Sequence, residues 1–200
     1  MSVAGFRLLP GALGLADQSE LAAEVLALSR TAPFCRPRTP GGKPMSVAMT
    51  NCGPLGWVSD AAGYRYQATH PLTGLAWPPI PARLLRLWAE LCDPDVAPDC
   101  CLVNRYDAGA RMGLHRDQDE ADLRFPVLSI SLGDTALFRL GGLKRSDPTA
   151  QLRLASGDVC VLGGAARLAY HGVDRILAGS SRLIPDGGRI NLTLRRARPA

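Results

Sequence analysis

The segment Leu114-His115-Arg116-Asp117-Gln118-Asp119-Glu120 sets a histidine and a carboxylate two residues apart. On an extended segment such residues point to one face, so His115 and Asp117 can aim at a common point. A neutral imidazole and a carboxylate are a plausible pair of metal ligands. A second imidazole would complete the two-histidine, one-carboxylate set that leaves positions open on a non-heme Fe(II). The chain has only three histidines, His70, His115 and His171, so few residues can supply it. An H-x-D pair alone is common by chance, and a lone histidine is more often a satisfied core or surface residue. His171 gains weight from Arg189, which follows it at the head of a polar-faced strand. An Fe(II) with three protein ligands needs a chelating co-substrate, and a fork-shaped arginine suits its distal carboxylate.

The elements that must position these residues read as follows. Asp17-Gln18-Ser19-Glu20 has the form of a capping box, with Leu21, Val25 and Leu28 after it at helical spacing. This predicts an amphipathic helix from about Gln18 to Arg30, packed outside a sheet. Residues 31–81 are rich in Pro and Gly, with Trp57, Tyr64, Tyr66 and Trp77 between them, so turns and short strands are expected. Trp77 reads as core; Trp57 and Tyr64 read equally well as loop plugs or as platforms for a planar ligand. A second helix runs from Pro81 to Leu91 on the stripe Leu84, Trp88, Leu91. Beyond residue 99 the period becomes two, with runs at Cys100–Tyr106, Phe125–Leu132, Thr135–Leu140, Asp158–Leu162 and Arg189–Arg196. Such a series of short strands reads as a sandwich or barrel. In the last run Ile190, Leu192 and Leu194 alternate with Arg189, Asn191, Thr193 and Arg195. Its polar face lies either in solvent or in a cavity.

Two hundred residues with 46% apolar content fit one domain with a sizeable core. No apolar run approaches a membrane span, no signal peptide is evident, and the six cysteines lack metal-site spacing. Free thiols of a reducing, cytoplasmic setting are expected. The net charge of +5 favours an anionic partner. All but Lys43 and Lys144 of the 23 basic residues are arginine. A codon bias explains that excess equally well, so charge alone decides little.

Eight stretches together resemble the AlkB-type Fe(II)/2-oxoglutarate-dependent dioxygenases, most closely the bacterial branch that repairs alkylated nucleic acid. They are MSVAMTNCG at 45–53, LVNRY at 102–106, LHRDQDE at 114–120, SISLG at 129–133, GGLKRSDP at 141–148, Gly157-Asp158, Tyr170-His171-Gly172 and RINLTLR at 189–195. The resemblance covers roughly residues 35–196 and implies a mainly β fold with flanking helices. That fold is a double-stranded β-helix (jelly roll) at 99–200 under a flexible nucleotide-recognition lid at 34–98, preceded by a helical segment at 1–33, all in one catalytic domain. It implies that His115, Asp117 and His171 ligate Fe(II). Asn104, Tyr106, Arg189, Asn191 and Arg195 hold 2-oxoglutarate as co-substrate, with Arg189 on its distal carboxylate. Asp119 contacts the exocyclic amine of the target base. Met45, Met49, Trp57 and Tyr64 belong to the lid, with Trp57 stacking on the base, and Arg145 lines the substrate site. One departure is Leu162, where that branch carries a tryptophan; it bears on packing or oxygen access near the metal and touches no ligand.

The implied reaction is oxidative demethylation of N-alkylated bases such as 1-methyladenine and 3-methylcytosine, releasing succinate, CO2 and formaldehyde. The implied partner is alkylated DNA, single- or double-stranded, met by a monomer away from membranes. The alternative is the same chemistry on RNA or a protein. A silent binder of damaged nucleic acid would need neither the triad nor Arg189. A zinc hydrolase would give the Arg189–Arg195 face no role.

Overall fold

The computed structural model describes residues 3–93 and 95–199. Among the described residues, twelve strands and two α-helices, with one short 3-10 turn at Gly164–Ala166, follow in chain order. They are β1 (Phe6–Leu9), α1 (Leu15–Leu28), β2 (Ala48–Cys52), β3 (Gly56–Asp60), β4 (Gly63–Gln67), α2 (Ala82–Leu91), β5 (Cys100–Tyr106), β6 (Met112–His115), β7 (Val127–Gly133), β8 (Thr135–Leu140), β9 (Ala150–Leu154), β10 (Val159–Leu162), β11 (His171–Leu177) and β12 (Arg189–Arg195). A six-stranded sheet has the order β1-β10-β7-β12-β5-β2, a four-stranded sheet the order β6-β11-β8-β9, and β3-β4 is a separate hairpin. Every pairing is antiparallel. The architecture is the mainly β jelly roll expected.

Period-two patterning assigns the faces of the large sheet. Ile190, Leu192 and Leu194 of β12, with Cys101 and Val103 of β5, pack outward under Leu21, Val25, Leu84 and Trp88 of the two helices. Arg189, Asn191, Thr193 and Arg195 point the other way, into a cavity between the sheets. Arg189, Thr193 and Arg195 are all buried, so this polar row does not face open solvent. The cavity reading of that face holds.

The first helix departs from expectation at its start. It begins at Leu15, Gly14 is its N-cap, and no side chain caps it. The Asp17–Glu20 capping box is not formed. Gln18 is instead buried, its Nε2 donating to the Leu13 carbonyl while its Oε1 accepts from Ser156 Oγ. Glu20 turns outward to Arg83 of α2. The second helix matches its predicted stripe, with Pro81 as N-cap rather than first residue.

Both segments outside the 99–200 region add an edge strand to the large sheet, β1 beside β10 and β2 beside β5. The β3–β4 hairpin stands on a small cluster of Ala32, Val58 and Trp77. Trp77 is core, and Gly56 is glycine because a Cβ there would lie 2.4 Å from the Trp77 ring. All six cysteines are free thiols, and no helix among the described residues is long and apolar enough to cross a membrane.

Candidate active site

The β6–β11 ladder creates the first half of the site, because His115 and His171 are directly paired across it. Their rings lie with centroids 4.5 Å apart. Asp117 follows β6 by two residues, and its two oxygens lie 3.9 Å from His115 Nε2 and 3.9 Å from His171 Nε2. One ligand atom from each of the three falls within 4.8 Å of the others. In both imidazoles Nδ1 faces a backbone carbonyl at 3.0 Å, Gly113 for His115 and Ala169 for His171. A carbonyl only accepts, so each Nδ1 carries a proton and each Nε2 is the nitrogen turned toward Asp117. Burial, reinforced by His115, lowers the His171 pKa to about 4, so this ring is neutral at pH 7. A three-atom nitrogen and oxygen set with this orientation fits Fe(II) with open positions.

Gly172 lets the two strands come this close. A Cβ there would meet the carbonyl oxygens of Met112 at 2.7 Å and Gly113 at 3.0 Å, where the β6–β11 register shifts. Gly172→Ala is therefore expected to part the histidine pair. Overpacking of this kind typically costs about 1–3 kcal/mol. A lowered melting temperature together with weakened Co(II) binding would confirm it, and unchanged Co(II) binding would refute it.

Asp117 is 8% exposed and braced on two sides. Arg195 Nη2 donates to its Oδ1 at 2.8 Å, and Arg167 Nη1 donates to its carbonyl at 2.7 Å. Burial works to raise its pKa, but Arg195 above all, with His171 and His115, holds it well below the usual carboxylate range. This carboxylate is thus ionised throughout the physiological range.

Deeper in the cavity stands Arg189, 2% exposed. Nη2 donates to Ser131 Oγ at 2.7 Å and Nη1 to the carbonyls of Leu154 at 3.2 Å and Asp134 at 3.4 Å, while Nε has no partner. These partners are all neutral. Burial lowers its pKa. Nearby, Asn191 Nδ2 donates to Ser129 Oγ at 2.8 Å, Asn104 leaves Oδ1 unpartnered, and burial pushes the Tyr106 phenol up to about 12. A buried cation whose only partners are neutral acceptors is a site for an organic anion.

At the mouth, Trp57 and Tyr64 of the hairpin stack at 5.5 Å with planes 19° apart. Trp57 Nε1 donates to Asp119 Oδ2 at 2.8 Å, and Arg145 Nη1 donates to the Leu114 carbonyl at 2.6 Å. A single cavity of about 620 Å³ is lined by every residue singled out from the sequence: Met45, Met49, Trp57, Tyr64, Asn104, Tyr106, His115, Asp117, Asp119, Arg145, His171, Arg189, Asn191 and Arg195. Leu162 lines it as well. His70 lies outside it; its Nε2 faces the Pro33 carbonyl at 2.8 Å and its Nδ1 accepts from the amides of Leu72 and Thr73.

Sequence reasoning missed Arg167 and gave no role to Glu120 or Tyr66. Arg167 Nη2 donates to Glu120 Oε2 at 2.9 Å, and Tyr66 OH donates to Glu120 Oε1. The available signal was an arginine alone in the apolar run Ala165-Ala166-Arg167-Leu168-Ala169.

The family model of the 2OG-Fe(II) oxygenase superfamily matches residues 5–195, and the chain belongs to that superfamily. Within it the similarity is to AlkB-type dioxygenases. The chain is 66% identical over 198 residues to an alpha-ketoglutarate-dependent dioxygenase AlkB homolog of Caulobacter vibrioides, covering 99% of this chain and 90% of that one. It is 46% identical over 182 residues to alpha-ketoglutarate-dependent dioxygenase AlkB of Escherichia coli, covering 89% and 84%. The solved structure of OsALKBH1 superposes with a TM-score of 0.84 over 96% of both chains at 31% identity. The protein is an Fe(II)- and 2-oxoglutarate-dependent dioxygenase.

Proposed function

We propose that the chain removes N-alkyl groups from bases in DNA, as a monomer in the cytoplasm, and that the residues above divide the work as follows. His115, Asp117 and His171 hold Fe(II). Arg189 grips the distal carboxylate of 2-oxoglutarate, with Asn104, Tyr106, Asn191 and Arg195 around the rest of it. The observation that carries this reading is the buried Arg189 charge, which has no carboxylate partner among the described residues yet shares a cavity with the triad.

Fe(II) held by His115, Asp117 and His171, with 2-oxoglutarate on Arg189, would supply the oxidant for a methyl C–H bond, O2 and 2-oxoglutarate being converted to succinate and CO2 while the methyl carbon leaves as formaldehyde. The chain's own part is to bind, orient and exclude water. The base must leave the duplex, at a cost of about a few kcal/mol, and stacking on Trp57 offsets part of it. The Asp119 carboxylate accepts from the base amine in exchange for the Trp57 indole, and its charge suits cationic lesions. Arg111, Arg116 and Arg145 line the mouth and suit phosphate without reading sequence.

The test is formaldehyde release from a panel of methylated DNA and RNA oligonucleotides and a methylated peptide. Activity confined to RNA or to the peptide would reject the DNA reading. A narrower prediction concerns Trp57→Ala. Stacking is worth about 1–3 kcal/mol per base, so binding of a methylated single strand should weaken roughly 5- to 150-fold in a fluorescence-anisotropy titration. Trp57 touches neither the triad nor Arg189, so substrate-free turnover of 2-oxoglutarate should persist. Undiminished affinity would remove it from the stacking role.

A further inference from the structure

Two donors of the hairpin reach two consecutive acids of the ligand-bearing loop. Trp57 and Tyr66 are cross-strand partners in the β3–β4 register, and they donate to Asp119 and Glu120 respectively. The settings of these bonds differ. The Trp57–Asp119 bond is exposed at the mouth, whereas the Glu120 side chain is only 1% exposed.

Glu120 divides its oxygens between two buried arginines. Oε2 accepts from Arg167 Nη2 at 2.9 Å, and Oε1, which takes the Tyr66 hydroxyl, lies 3.4 Å from Arg195 Nε. Those same arginines are the two that brace Asp117, one at its carboxylate and one at its carbonyl. Tyr66 OH also lies 3.5 Å from Arg195 Nη1. The result is a buried quartet of two cations and two anions, closed on its hairpin side by one phenol. Taking away one partner of a buried charge leaves the other uncompensated, so members of such a set depend on each other for position.

The geometry points to Tyr66 and Glu120 as positioning residues that couple the hairpin to the metal-binding carboxylate: Tyr66 fixes Glu120, Glu120 fixes Arg195, and Arg195 fixes Asp117. This rests on the reading of His115, Asp117 and His171 as the Fe(II) ligands. Coupling of this kind is reciprocal. A docked hairpin tightens metal binding, and a bound metal quiets the hairpin. The exposed Trp57–Asp119 bond is the one an entering base can exchange. The Tyr66–Glu120 bond, buried at its Glu120 end, keeps the second strand of the hairpin attached meanwhile.

Tyr66→Phe deletes one hydroxyl and keeps the ring, so it is the variant of choice. Glu120→Gln is a second, harsher probe, because it leaves two buried arginines facing one acid. Co(II) titration followed by visible absorption should show Tyr66→Phe binding about tenfold more weakly, the low end for outer-shell changes. Hydrogen exchange read on residues 56–67 should slow in the wild type when Co(II) and 2-oxoglutarate are added, and should slow much less in Tyr66→Phe. A variant with a lowered melting temperature but wild-type Co(II) affinity and a wild-type exchange response has lost only a structural contact, which overturns the relay. A wild-type protein that takes up no Co(II) overturns the ligand assignment itself, and the relay with it.

Discussion

Arg189→Met is expected to abolish 2-oxoglutarate binding at working concentrations while the fold stands. The wild-type guanidinium is held by Ser131, Leu154 and Asp134 through neutral oxygens only, and its Nε finds nothing. No carboxylate lies within ion-pair distance of it among the described residues, whereas Arg195 has Asp117 and Glu120. A buried charge without a counter-charge is unfavourable, and an apolar side chain of similar length relieves that cost. Truncating one side of a buried charged pair costs about 2–5 kcal/mol, which is roughly 30-fold to several-thousand-fold in affinity. Calorimetric titration with 2-oxoglutarate reads the loss directly. Thermal unfolding separates it from misfolding. The wild type should gain melting temperature with added 2-oxoglutarate, and Arg189→Met should start no lower and gain nothing. A Met variant that binds the co-substrate normally would move the anchor away from Arg189.

That contrast between two arginines on one strand also shows how far the sequence can be read. The alternation in Arg189–Arg195 is a local property, so the strand and its polar row were legible. Whether that row faced water or a cavity was not, because the answer lies in what stands across from it, His115, Phe138 and His171 of the second sheet and Trp57 of the hairpin. His115 and Asp117 were legible as a pair two apart, but the place of His171 beside them is a strand register set by tertiary pairing across β6 and β11. The capping-box misreading has the same origin. Gln18 is buried and has a partner in Ser156, far along the chain, and that contact outweighs the local pattern.

Residues 31–81 were legible as turns and short strands from their Pro and Gly content. The attachment of the β3–β4 hairpin was not, since Trp57 and Tyr66 meet acids 62 and 54 residues further along the chain. Arg167 is the clearest case. An arginine in an apolar run reads as a surface exception until Glu120, the Phe125 carbonyl and the Asp117 carbonyl are found around it. Buried polar networks are specified by groups distant in sequence, so single-chain periodicity does not carry them.

Asp117→Asn should be the more severe lesion, because an amide cannot play both parts this carboxylate plays. In the wild type Oδ1 accepts from Arg195 at 2.8 Å while both oxygens face imidazole Nε2 atoms at 3.9 Å. Asparagine has one acceptor and one donor end. If its oxygen stays with Arg195, its NH2 group takes the place of Oδ2, points at the His171 lone pair and can donate to it, tying up a nitrogen a metal needs. If it turns over, its NH2 group meets the Arg195 guanidinium and two donors oppose each other. The first arrangement keeps the Arg195 bond and sets no donor against a donor, so the variant should fold and melt near the wild-type temperature. Metal binding should nonetheless fall by more than the roughly 10–100-fold typical of outer-shell changes, since a ligand and its charge are both lost. Co(II) titration and succinate formation under saturating Fe(II) read the two consequences separately. Succinate formation within about tenfold of wild type, a loss no larger than outer-shell changes produce, would strike Asp117 from the ligand set.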